Sequence, residues 1–168
     1  MRGISIKPVA VGVTFALLAL VTGEMHGMAF GALEDGIKAS FTASAAAAYP
    51  DDAAAVDKNV QDAWKYLKRG HEHFMGLGAV SLALCLLTGL ARAGNTLKFA
   101  ASSAAGLGAF LYPLFWSLTA IATPAAGGHA AKESLKLLAQ AGAGLSFLGL
   151  LGVIVAVAVW ISSGDGDS

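Results

Sequence analysis

Four stretches of this chain are each long and apolar enough to cross a lipid bilayer, and that pattern constrains the fold more than any other feature. They cover residues 8–33, 71–90, 99–123 and 135–161. A hydrocarbon core of about 30 Å is spanned by about 20 helical residues, so each run predicts one transmembrane helix. Only 13% of the 168 residues are charged, against about a quarter in a soluble domain, which is too sparse for a surface wholly exposed to water. The 21 glycines suit membrane helices that approach closely through small residues. The expected fold is all-α: an integral membrane four-helix bundle forming a single domain over 1–168, with neighbouring spans antiparallel.

The first run follows Arg2 and Lys7 and contains the apolar stretch Val9–Val21, with Ala29-Phe30-Gly31 downstream. A cleaved signal peptide has the same basic start and apolar centre. The long segment after Val21 and the spacing Gly23–Gly27–Gly31 favour a retained span whose glycines admit another helix.

The one sizeable polar stretch is 34–69. Its Ser40–Tyr49 part is Ala/Ser-rich and ends at Pro50. Beyond Pro50, Val56, Val60, Trp64 and Leu67 recur at helical spacing. Asp51 and Asp52 precede them, and Lys65, Lys68 and Arg69 follow, in the sense a helix dipole favours. The spacing predicts an amphipathic helix over about 51–69, either lying at the interface or leading directly into the second span, with Trp64 and Tyr66 near the headgroups.

Residues 91–98 read as a polar turn. Pro113 predicts a kink in the third span near Tyr112–Trp116, and Pro124 with Gly127-Gly128 ends that span. In the fourth, Ala139, Gly142, Ser146 and Gly149 form a close-packing stripe. Glu72 heads another, with Gly76, Ala79 and Ala83, expected to face a helix. The tail 162–168 is polar and acidic and is expected to be disordered.

Four crossings place both termini on one side. Arg2 and Lys7 ahead of the first span point that side to the cytoplasm, as in a multi-pass protein of a bacterial inner membrane. The opposite side carries Lys65, Lys68, Arg69, Lys132 and Lys136, which argue for the reverse orientation.

Topology also gathers the chemistry-bearing side chains. His26 near the end of span one, His71 and His73 at the start of span two, and His129 between spans three and four all fall at one membrane face. Glu24, Glu72, Met25, Met28 and Met75 are close in sequence, and ionisable groups at membrane depth are functional candidates. On a helix Glu24 and His26 point about 200° apart, as do His71 and His73.

Two cofactor readings follow. Imidazoles from two helices of a bundle can ligate a b-type haem axially; His26 with His73 is the first pair, His71 and His129 the alternates. The string His71-Glu72-His73-Phe74-Met75-Gly76-Leu77-Gly78 resembles the His-x-His-x-x-x-Leu-Gly element that opens helices in some haem-binding membrane proteins, over eight residues, and implies haem ligation there. The second reading is a copper or zinc site drawn from His26, His71, His73, Glu24 and Met75.

A third reading needs no cofactor. Histidine near an interface can be neutral and still reach water, and methionine in an apolar helix is ordinary packing material.

Two function classes result: a haem- or metal-binding protein of membrane electron transfer, or a non-catalytic structural or assembly subunit of a larger membrane complex. The bilayer is the expected partner, along with other membrane subunits. The zero formal net charge gives no footprint for nucleic acid. Without a P-loop or GxGxxG motif there is no basis for nucleotide binding. The lone Cys85 has no partner for a disulfide or a CxxC site.

Overall fold

The structure is a computed structural model and describes residues 6–163. Arg2 and most of the 162–168 tail, with the expectations placed on them, lie outside the described residues. A 3₁₀ turn, Lys7–Val9, leads into α1 (Ala10–Ala48), followed by α2 (Ala53–Leu90), α3 (Asn95–Ala126), the short α4 (Gly128–Ser134) and α5 (Lys136–Ser162). The fold is all-α, and α1, α2, α3 and α5 are each long and apolar enough to cross a membrane.

Helix α3 is the hub. It packs against α1, α2 and α5, whereas α5 touches little besides α3. Missing Cβ atoms make these approaches possible. A Cβ at Gly12 of α1 or at Gly106 of α3 would collide with backbone of the other helix. Gly142, Gly149 and Gly152 of α5 lie against Tyr112, Ala105 and Ala101 of α3, and Ser146 lies against Gly108. The small-residue stripe of the fourth span is thus its docking seam, and the buried positions of α5 (Gly142, Gly149, Val153 and Ala156) follow it.

With 39 and 38 residues, α1 and α2 are each about 57 Å long at 1.5 Å per residue. That is close to twice the bilayer core. Roughly half of each therefore stands beyond the membrane as an antiparallel hairpin. The amphipathic segment 51–69 does not lie on the surface as a separate element; it is the first half of α2 and leads directly into the second span. Its apolar stripe is buried against α1 and α3, where Phe41, Ala63, Tyr66, Leu67 and Ala120 form a core flanked by Phe30, Ile37, Val60, Trp64 and Trp116. The Ala/Ser-rich stretch before Pro50 is helical to Ala48 for the same reason: Phe41 and Ala45 are buried, and alanine favours helix strongly.

Local chemistry sets the turns. Asp52 caps α2, its Oδ1 accepting from the Ala55 N–H at 2.9 Å. A turn further on, the Lys58 ammonium donates to Asp62 at 2.9 Å, and this hydrogen bond and charge pairing raise the amine's pKa above its ordinary value. Lys98 donates to the Gly89 carbonyl at 3.0 Å, tying α3 to the end of α2. Gly127 has φ 81°, a conformation that costs glycine little, and turns the chain from α3 into α4. Helix α3 runs on through both Pro113 and Pro124, so Gly127 ends it rather than Pro124.

One expected contact is absent. Glu72, Gly76, Ala79 and Ala83 are all exposed, and nothing lies within 4 Å of a Cβ built at Gly76. This stripe faces outward, because α1 and α3 occupy the other sides of α2.

Candidate functional site: an aromatic-lined histidine layer

Three of the four histidines lie at one level of the bundle, on different faces of α1 and α2, where the membrane-spanning parts of α1, α2 and α3 give way to the hairpin. Helical angles decide where each points. On α2, Gly70 faces α3: a Cβ there would lie 2.5 Å from Ser117 Oγ and 3.4 Å from the Pro113 carbonyl. His71 is rotated about 100° from Gly70, towards α1, and His73 about 60° the other way.

The contacts agree with those angles. The His71 Nδ1–H donates to the Gly23 carbonyl of α1 at 2.9 Å, and its Cε1 sits 3.2 Å from the position a Cβ would take on Gly27. The spacing Gly23–Gly27 in α1 thus admits α2: Gly23 faces Phe74 and Met75, Gly27 faces the His71 ring, and Gly31 faces nothing within 4 Å. His73 packs on Tyr112 and Trp116 of α3, with ring centroids 5.2 and 6.5 Å away. His26 projects from α1 towards α3, its Nε2 3.4 Å from Ser117 Oγ.

All three rings share a polar signature. The Nδ1 of His26 bonds the Thr22 carbonyl at 2.8 Å, and that of His73 bonds the Arg69 carbonyl at 2.8 Å, as His71 does with Gly23. A carbonyl can only accept, so Nδ1 carries the proton in each ring. In the neutral imidazole Nε2 then holds the free lone pair. This is the tautomer of a metal-ligating histidine whose second nitrogen is fixed by a backbone carbonyl.

Aromatic rings enclose the layer. Phe30 lies 6.1 Å from His26 and 5.4 Å from His71, and the wholly buried Phe74 lies 5.5 Å from His26. The Arg69 guanidinium stacks 4.5 Å over Trp116 and Lys132 lies 5.4 Å over Tyr66, placing cations at the layer's edge.

Not every expected residue joins. His129 is exposed on α4, next to Gly128, whose neighbours are Tyr66 and Asp62. Glu24 is exposed on the flank away from His26, and Met75 packs on Gly23. Among the described residues, no three His, Cys, Asp or Glu side chains are grouped closely enough to hold a metal ion. Conversely, sequence reasoning missed Ser117. Its single hydroxyl proton can go to the Pro113 carbonyl at 3.2 Å or to the His26 Nε2 at 3.4 Å, not to both at once, and nothing in its surroundings in the sequence singles it out.

No family model matches the chain, and no match is found among curated proteins or solved structures.

Proposed function

We propose that the histidine layer is a cofactor site and that the protein is a multi-pass membrane redox protein carrying a b-type haem. His26 and a histidine of α2, His73 before His71, would hold its iron. The observation that carries this reading is the shared tautomer: three imidazoles in one layer, each with Nδ1–H on a backbone carbonyl and the Nε2 lone pair as the ligating position, which at His26 would give up its 3.4 Å contact with Ser117 Oγ. Haem is favoured over copper or zinc because two imidazoles suffice for it, whereas an ion needs a larger ligand group than the layer assembles. A haem bound there would supply one-electron exchange; the aromatic rings would exclude water and the carbonyls would orient the ligands.

One contact favours the second reading, a non-catalytic structural or assembly subunit. Gly70 and Ser117 meet in the seam between His26 and His73, so bridging those two rings requires α2 and α3 to part there. The outward stripe Glu72, Gly76, Ala79 and Ala83 supports the same reading as a docking face.

A reduced-minus-oxidised absorption spectrum of the purified protein separates the two. The haem reading expects a sharp α-band that is lost in His26→Ala. In His73→Ala it expects the band to be lost while membrane insertion is kept. A flat spectrum after purification with haem supplied overturns it and leaves the subunit reading. The orientation proposed from Arg2 and Lys7, with both termini in the cytoplasm of a bacterial inner membrane, is tested by reporter fusions to the C-terminus.

A further inference from the structure

Helices α2 and α5 both lean on α3 but barely on each other, which leaves an open groove between them along the membrane-spanning part. Two stretches of it, of 390 and 340 Å³, share Leu84 and Leu150 and are therefore continuous. The groove runs from Leu77 and Ala143 at the histidine end to Ile161 at the other. Its lining is almost wholly apolar. From Ala143 to Ile161 it extends about 27 Å at 1.5 Å per residue, close to the full hydrocarbon thickness.

The two ends differ in charge. At the histidine end, one flank of α2 continues from Leu77 through His73 to Arg69, at intervals of four residues. Gly142 of α5 meets Tyr112, and Tyr112 meets His73, so α2, α3 and α5 converge at this mouth. Arg69 stacks on Trp116, Trp116 packs on Tyr66 at 5.5 Å, and Lys132 stacks on Tyr66. Both cations are half-buried. Among the described residues the ion pairs are Lys38–Glu34, Lys58–Asp62 and Lys136–Glu133, so neither Arg69 nor Lys132 has a carboxylate partner. The buried Trp116 Nε1–H also lacks an acceptor. The apolar groove, open to lipid, thus stops at Leu77 and Ala143, and the two cations without a carboxylate partner lie beyond it, Arg69 eight residues or about 12 Å further along α2, a separation that a lipid's glycerol and headgroup can bridge.

We propose that this groove binds an anionic phospholipid, with one acyl chain between α2 and α5 and the phosphate at Arg69 and Lys132. Charge complementarity selects this occupant. A neutral quinone would fill the groove but bring no charge to either cation, and a zwitterionic lipid brings a phosphate whose charge its own headgroup ammonium already offsets; only an anionic lipid adds net negative charge there. Arginine stacked on an aromatic ring still presents its N–H edge to phosphate oxygens.

The test is lipid analysis of the intact chain purified in mild detergent, by native mass spectrometry and by chromatography of the extracted lipid. The expected result is one retained anionic phospholipid, enriched over its share of the membrane. Arg69→Gln with Lys132→Gln should lower its retention about 30-fold, taking each interfacial cation as contributing about 1 kcal/mol. Lys65→Gln with Lys68→Gln, which removes two exposed cations from the same helix, should leave retention unchanged. Ala143→Phe should displace the lipid by filling the channel with both cations intact, which keeps the proposal testable if the charge variant does not fold. Retention of zwitterionic lipid or quinone in preference overturns the proposal. So does equal loss in the Lys65/Lys68 variant, or retention that neither Ala143→Phe nor the Arg69/Lys132 change reduces.

Discussion

Replacing Gly149 by alanine tests how α5 is held. A Cβ at Gly149 would lie 2.5 Å from Ala105 Cα and 2.8 Å from its Cβ, whereas carbon atoms in contact are separated by about 3.5–4.0 Å. The helices must therefore part by about 1 Å. A gap of that size forfeits a quarter to a half of each contact's attraction, individually only about 0.1–0.2 kcal/mol. The loss falls on the whole seam, where Gly142 meets Tyr112, Ser146 meets Gly108 and Gly152 meets Ala101. Summed over several dozen atom pairs it reaches about 2 kcal/mol, within the usual overpacking range of about 1–3 kcal/mol. Alanine also gains up to about 1 kcal/mol in helix propensity, so a proper control is needed. Gly144→Ala on the same helix supplies it, because nothing lies within 4 Å of its Cβ position. Unfolding by SDS in mixed micelles, followed through tryptophan fluorescence (Trp160 is on α5), should separate the two variants by about 2 kcal/mol, roughly 30-fold in equilibrium constant. Equal midpoints, or a Gly149→Ala variant as stable as Gly144→Ala, would refute the close-seam argument.

Three further outcomes follow from local chemistry. Asp52→Ala removes the side-chain cap of α2 and should cost about 1 kcal/mol, read as faster amide exchange over the first turns of α2 and unchanged exchange in α5. Gly127→Ala forces φ 81° and ψ 146°, a region nearly confined to glycine, on a residue with a Cβ and should cost about 1–3 kcal/mol, visible as a lower thermal midpoint; an unchanged midpoint would contradict the turn geometry. Cys85 is fully buried, with its thiol 3.5 Å from the Ser102 carbonyl, so maleimide should label it in SDS but only very slowly in mild detergent.

Much of the fold is legible in the apolar runs, since a bilayer fixes both the length and the character of a span. The splaying of His71 and His73 is legible too, because 100° per residue follows from helix geometry alone, and the structure sends one to α1 and the other to α3. What the sequence does not show is register between helices. His26 and His73 pair well by topology, yet Gly70 meeting Ser117 puts a helix contact between them, and many small residues could have made an equivalent contact elsewhere. The same ambiguity explains Glu72, Gly76, Ala79 and Ala83: a stripe of small residues states that something can approach, not which surface does.

The choice of α3 as the hub does leave a trace in the sequence. Small residues run unbroken from Ala100 to Gly106 and resume at Gly108-Ala109, and the buried ones form adjacent pairs, Ala101-Ser102, Ala105-Gly106 and Gly108-Ala109. Neighbours on a helix point about 100° apart, so each pair opens two sides at once. Ala101, Ala105 and Gly108 receive α5, while Ser102 and Gly106 receive α1, and Ser102 also takes the Cys85 contact from α2. A single stripe, as on α5, serves one neighbour and leaves the rest of the helix to lipid. Without a hydrophobic driving force between helices, close approach decides which ones associate. A helix with paired small residues is therefore surrounded, and a helix with a single stripe is peripheral. That difference is what opens the groove between α2 and α5.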